Sequence, residues 1–316
     1  MFDRRSFLKA ALLGGATAAM PQALRAAGSS DRPNIIFILA DDLGYGDLGC
    51  YGQDVIQTPN LDRMARQGMR FTDFYAGSTV CAPSRSCLLT GLHTGHTYMR
   101  GNGKDIWLRD DPKDITMARL LKDAGYSTAM IGKSSTSCGV PDDLGQPNKK
   151  GFDHFFGVLS HWQAHFYFPP KLYRDGEVVE LGDNHKHHGK HYCHDLYLKD
   201  ALNWIDEQSR EDDPFFMLYS AHIPHASLVV EPEKWKDMYR DRVENDREVP
   251  RRHYSGTDAA KAEFAGMVSR LDWEVGKILG KLQAAGIDDN TIAMFASDNG
   301  AMNEGGHRED DFNSSG

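Results

Sequence analysis

The sequence predicts an α/β fold, a mostly parallel central sheet with helices on both faces. Two observations carry this. Short uninterrupted apolar runs alternate with segments of helical periodicity, and four of the runs stop abruptly at polar residues. Continuous apolar runs of this length suit strands buried on both faces. Alternation of strand and helix sets such strands side by side with helices covering the sheet.

The first strand reads Asn34-Ile35-Ile36-Phe37-Ile38-Leu39-Ala40 and ends at Asp41-Asp42. A helix follows, opened by Thr58-Pro59 and closed by Gly68; a hydroxyl cap and a first-turn proline start helices, and glycine ends them. Pro83 suits the first turn of another helix, and residues 116–125 again run from a threonine to a glycine. The second strand, residues 127–132, ends at Lys133, and a third, 214–220, runs into His222 and His225. Between them, Leu198, Leu202 and Ile205 stand at helical spacing within residues 195–210. The longest helix spans 258–285, with Phe264, Val268, Leu271, Val275, Ile278 and Leu282 forming one stripe before Gly286. The last strand, 291–297, ends at Asp298-Asn299.

Composition narrows the function classes. The 316 residues hold 36 Lys+Arg against 45 Asp+Glu, a net charge of -9, which argues against nucleic acid as a partner. With 40% hydrophobic and 26% charged residues the chain is globular, and five cysteines are too few and odd in number for a disulfide scaffold. Arg4-Arg5-Ser6-Phe7-Leu8-Lys9 and the small-residue run Ala10 to Met20 read as a twin-arginine signal over residues 1–27. The Tat translocase is then a partner, the mature protein is periplasmic or secreted with no membrane span after signal removal, and residues 32–316 form its folded domain.

In parallel sheets ligands bind outside the carboxyl ends of the strands, so four strands deliver Asp, Asp, Lys, His, Asp and Asn to one edge. Asp41, Asp42, Asp298 and Asn299 are hard oxygen donors, and three crowded carboxylates repel one another without a cation. The set suits Ca²⁺, with Mg²⁺ second, rather than zinc or copper.

The segment Cys81-Ala82-Pro83-Ser84-Arg85-Ser86-Cys87-Leu88-Leu89-Thr90-Gly91 resembles the signature of the type I sulfatases, formylglycine-dependent members of the alkaline phosphatase superfamily. Asp41-Asp42-Leu43-Gly44 and Ser297-Asp298-Asn299-Gly300 stand in matching order. The run Gly91-Leu92-His93-Thr94-Gly95-His96-Thr97 and Gln163-Ala164-His165 point to the bacterial arylsulfatase A-like branch. The resemblance covers residues 32–316. It implies that a formylglycine-generating enzyme oxidises Cys81 to formylglycine (3-oxoalanine), whose hydrate lies at the metal with the four oxygen donors. One hydroxyl attacks sulfur and the other allows sulfate to be eliminated. Arg85, one helical turn from residue 81, steadies the oxyanion and the metal carboxylates. By the same resemblance Lys133 binds sulfate oxygens and His225 stands near the leaving oxygen as general acid. His165 and His222 are candidate substrate contacts.

Two departures stand out. Family members usually carry Gly-Lys-Trp after the second strand, often with a histidine two residues beyond the lysine; here Gly132-Lys133 is followed by Ser134-Ser135-Thr136-Ser137. The chain also stops at Gly316, before the family's second sulfate-binding lysine and C-terminal subdomain, so a C-terminally truncated form with open edge strands is expected.

The expected activity is hydrolysis of a sulfate ester on a small molecule or polysaccharide. The rivals are a related phosphatase or phosphonate hydrolase and a non-catalytic sulfate-binding homologue. A third, metal storage, would use the histidines between His185 and His194, but their spacing matches no zinc template and the stretch reads as a solvated loop. Residues 231–252 read as a charged, solvated excursion, and residues 163–173 as a loop of the alcohol pocket.

Overall fold

The computed structural model describes residues 32–103, 106–140 and 143–315; the signal assigned to residues 1–27 lies outside them. Seven strands form one sheet. They are β1 (Asn34–Asp41), β2 (Ser127–Lys133), β3 (His154–Val158), β4 (Lys171–Arg174), β5 (Glu177–Glu180), β6 (Phe215–Pro224) and β7 (Thr291–Ser297), in the spatial order β5-β4-β3-β2-β6-β1-β7. The helices are α1 (Pro59–Gln67), α2 (Cys81–Thr90), α3 (Met117–Asp123), α4 (Cys193–Gln208), α5 (Lys234–Asp237) and α6 (Ala260–Ala285).

From β3 to β7 every pairing is parallel. The antiparallel end, β3-β4-β5, was not expected from the apolar pattern. Its strands are short and half polar, and Asp175 and Gly176 join β4 to β5 with φ of 49° and 91°, a two-residue hairpin turn that wants an Asp-Gly pair. Residues 163–173 therefore do not form one pocket loop: Leu172 and Tyr173 are buried in β4.

Side chains alternate across the sheet with period two, and two cores result. Ile36, Ile38, Met217 and Tyr219 pack with α4 and α6, whereas Leu39, Met130, Phe216 and Leu218 pack with Ala82 and Leu89 of α2 and Ala118 of α3. β6 sits at the centre and is buried along its whole length. The outer strand β7 is different: Ile292 is 49% and Met294 38% exposed.

The charged stretch after Glu231 is less solvated than its composition implies. It contains α5, and Tyr239 is fully buried, with its hydroxyl bonded to Ser269 of α6. Among the described residues, no helix is long and apolar enough to cross a membrane.

Candidate active site

Four strand ends and one helix start converge. β1 ends at Asp41, which is fully buried, and Asp42 follows with φ of 61°. Its amide donates to Asp298 Oδ1 at 3.3 Å. Gly132 lets β2 deliver its lysine here, because a Cβ at that position would stand 2.0 Å from the Ser220 carbonyl oxygen. Lys133 Nζ donates to Asp41 Oδ2 at 2.5 Å.

Cys81 is the first residue of α2, and Val80 before it offers no side-chain cap. The positive end of the helix dipole is therefore directed at residue 81. One turn on, Arg85 is 2% exposed and ties three strand ends together. Its Nε donates to Asp298 Oδ2 at 2.7 Å, its Nη1 to the Lys133 carbonyl at 3.2 Å, and its Nη2 lies 3.5 Å from Asp41 Oδ1. Asn299 Nδ2 donates to Asp42 Oδ1 at 2.7 Å. His225 Nε2 lies 3.4 Å from Asp42 Oδ2. One ligand atom each from Asp41, Asp42, Cys81 and His225 lies within 4.8 Å of the others.

Burial raises the Asp41 carboxyl, but Lys133, His225 and Arg85 outweigh it and hold the group well below the usual carboxylate range. Asp42 and Asp298 lack enough compensation, and burial pushes both upward. Burial, with Asp41 next to it, also pushes the Cys81 thiol well up, so it is a thiol and not a thiolate. Against burial, Asp41 and its neighbours keep Lys133 charged, as Asp298 and Asp41 do Arg85. Two fixed cations thus face three buried carboxyl groups.

The donor set fits a hard divalent cation. Asp41 Oδ1 and Asn299 Oδ1 are buried oxygens without a hydrogen-bond partner, and unmet buried acceptors are costly unless something fills them. Carboxylates plus an amide oxygen are calcium-type ligands.

His165 stacks on His225, ring centroids 5.0 Å apart. Burial, and then His225 and Lys133, push its pKa down to about 3, so the ring is neutral.

His222 is not brought into this group. It is fully buried on the other side of β6, with Nε2 3.4 Å from the Tyr197 hydroxyl and Nδ1 4.0 Å from Cys193 Sγ. β6 runs four residues beyond its expected end at Ser220, and its register with β1 shifts between Leu39 and Asp41, so the simple alternation breaks and His222 faces Cys193 and Tyr197. The histidine-rich stretch is likewise not a simple solvated loop. His194 is fully buried, its Nδ1 3.0 Å from Glu274 Oε2.

Other residues of the site, Ser84 of the quoted signature apart, carry no sequence signal. The Ser220 hydroxyl donates to the Lys133 carbonyl at 2.6 Å, and the Ser84 hydroxyl donates to the Asp298 carbonyl. The Tyr167 hydroxyl donates to the His225 carbonyl at 2.6 Å and fixes that loop. Glu304 Oε2 lies 3.9 Å from His225 Nε2, and Tyr254 donates to Glu304. The residues that follow Lys133, Ser134 to Ser137, are all buried. Ser134 and Ser135 amides donate to the Val158 and Leu159 carbonyls, which extends the β2–β3 pairing.

A family model described as Sulfatase matches residues 33–315. The chain belongs to the sulfatase family. It is 33% identical over 304 residues to N-acetylgalactosamine-6-sulfatase of Rattus norvegicus, covering 88% of this chain and 52% of the relative. It is 31% identical over 326 residues to an arylsulfatase of Klebsiella aerogenes, covering 87% of this chain and 68% of the relative. Among solved structures, Ps i-CgsB in complex with k-i-k-neocarrahexaose superposes with a TM-score of 0.71 at 28% identity, covering 87% of this chain and 60% of that one. This sulfatase chain thus spans about half the length of its mammalian relatives.

Proposed function

We propose that the chain is the catalytic portion of an exported enzyme that hydrolyses sulfate esters of carbohydrates, with Cys81 matured to formylglycine and Ca²⁺ held by Asp41, Asp42, Asp298 and Asn299. The observation that carries this is the placement of Cys81 at the start of α2 among three buried carboxyl groups, Lys133 and His225, in a chain of the sulfatase family. The carbohydrate rests on the rat relative's name and on the hexaose bound to Ps i-CgsB.

The bound cation supplies positive charge that lowers the pKa of an adjacent hydroxyl, and the matured residue 81 supplies two hydroxyls on one carbon. The other tasks fall to side chains already in place. Arg85 fixes Asp298 and Asp41 in position for the cation. Lys133, charged and buried, binds sulfate oxygens. His225 holds a proton at Nε2 for the leaving alcohol oxygen, and Tyr167 sets the loop that carries it. Residues 1–27 direct export through the Tat translocase.

The test is peptide mass spectrometry around position 81, on protein co-produced with a formylglycine-generating enzyme. The thiol is expected to become an aldehyde, and the protein to bind one Ca²⁺ per chain. A retained thiol sinks the reading. Paired rates on an aryl sulfate and an aryl phosphate decide between sulfatase and phosphatase, and sulfate binding without turnover by matured protein identifies a non-catalytic homologue.

A further inference from the structure

Next to His225 lies a group of rings that the chemistry at sulfur does not use. Trp162 is 50% exposed, although its ring packs 4.7 Å from His253 and 5.5 Å from His165. His165 contacts Tyr254 at 5.3 Å and His225 at 5.0 Å. The rings therefore form a path from solvent at Trp162, through His165, to His225 and the carboxylate of Asp42.

Two distant chain segments, 162–165 and 253–254, build this path, and buried hydrogen bonds clamp them together. The Ser227 hydroxyl donates to the His165 carbonyl at 3.1 Å and accepts from the Ser255 amide at 3.0 Å. Ser227 is fully buried and Ser255 is 6% exposed. His187 Nδ1 lies 2.8 Å from the Ser255 hydroxyl and braces the second segment. A half-exposed tryptophan on a braced frame is a preformed surface, so a ligand laid on it loses little to ordering.

We propose that Trp162, with His253 beside it, is the platform on which the pyranose ring of the sulfated substrate stacks, with the sulfate directed past His165 toward residue 81. The proposal rests on the reading that residue 81 and Lys133 hold the sulfate. A sugar matches this surface better than a plain aryl group does. Its C–H face covers an aromatic ring while its hydroxyl edge needs hydrogen-bonding partners. Those partners are present in His253, the Tyr254 hydroxyl and the Glu304 carboxylate. His165 is held neutral by burial and by its cationic neighbours, so it adds no charge to the path.

Calorimetric titration of the full chain with inorganic sulfate and with N-acetylgalactosamine 6-sulfate tests this without requiring turnover. The sugar sulfate is expected to bind about tenfold tighter than sulfate, a difference of about 1.4 kcal/mol. Trp162→Ala is expected to erase that increment and leave sulfate affinity unchanged, while Trp162→Phe keeps most of it. The proposal is overturned if the increment survives Trp162→Ala, or if both variants weaken both ligands alike. Sulfate binding with no sugar increment in the unaltered protein overturns the platform alone. Failure of both ligands to bind overturns the platform and the sulfate reading together, whereas a Trp162-dependent sugar sulfate with no binding of free sulfate keeps the platform and removes the sulfate reading.

Discussion

His222 and His225 stand three residues apart at the end of β6, each with cysteine and other ligand-type side chains nearby. Around His222, Cys193 and His194, the polar groups are satisfied internally. His194 Nε2 accepts from the His222 amide at 3.2 Å, and its Nδ1 faces Glu274. Glu274 in turn accepts from Tyr219 at 2.8 Å and from Arg270 at 2.9 Å. Around His225, Asp41 Oδ1 and Asn299 Oδ1 lack hydrogen-bond partners, and two carboxyl groups are pushed upward by burial. A satisfied polar network stabilises a core, whereas an unsatisfied one of the same residue types is poised for a ligand. The second kind marks the working side of β6.

The largest expected effect sets the two histidines directly against each other. His225→Asn should lower sulfate-ester turnover by about 10²- to 10⁴-fold, the usual range for a lost general acid, with thermal stability nearly unchanged. His222→Asn should do the reverse, lowering the melting temperature and sparing most of the turnover of the protein that remains folded. Equal loss of turnover from both variants breaks the distinction.

Glu274→Ala sharpens the core side. It leaves the buried Arg270 without its Glu274 partner, and breaking a buried pair costs about 3–5 kcal/mol. Urea unfolding is the measurement, and a loss within about 0.5 kcal/mol, typical of surface changes, contradicts the assignment.

A third histidine offers a smaller, pH-dependent contrast. Burial opposes charge on His154, but its hydrogen bonds to Asp175 and Asp200 outweigh burial and raise its pKa to about 9, from an ordinary 6.5. A raised folded-state pKa gives stability that is complete below about 6.5 and lost as pH rises through about 9. The melting temperature should therefore fall across that window, and His154→Gln should flatten that part of the profile. An unchanged profile in the variant removes the His154 contribution.

Much of this was legible in the sequence, for identifiable reasons. Four of the five parallel strands, β1, β2, β6 and β7, carry long apolar runs, and all but outer β7 are mostly buried; the fifth, β3, was missed because its run of five residues is short and broken by Gly157. The ends of the four coincide with the chemistry because parallel strands deliver their last residues to one edge. β4 and β5 were missed because a short antiparallel hairpin at a sheet margin needs no apolar run, although Asp175-Gly176 was a readable turn signal. His222 was misplaced because nothing local showed that β6 continues to Pro224. Glu304, Trp162 and His253 reach the site through loops, whose positions in space no periodicity encodes.

The most direct measurement is sulfate release from N-acetylgalactosamine 6-sulfate by two proteins co-produced with the formylglycine-generating enzyme, one with Cys81 and one with Cys81→Ser. Many sulfates per chain are expected from the first and at most one from the second, because a single hydroxyl can accept the sulfuryl group but has no neighbour to expel it. Sustained turnover by the serine variant, or none by the aldehyde-bearing protein, contradicts the account.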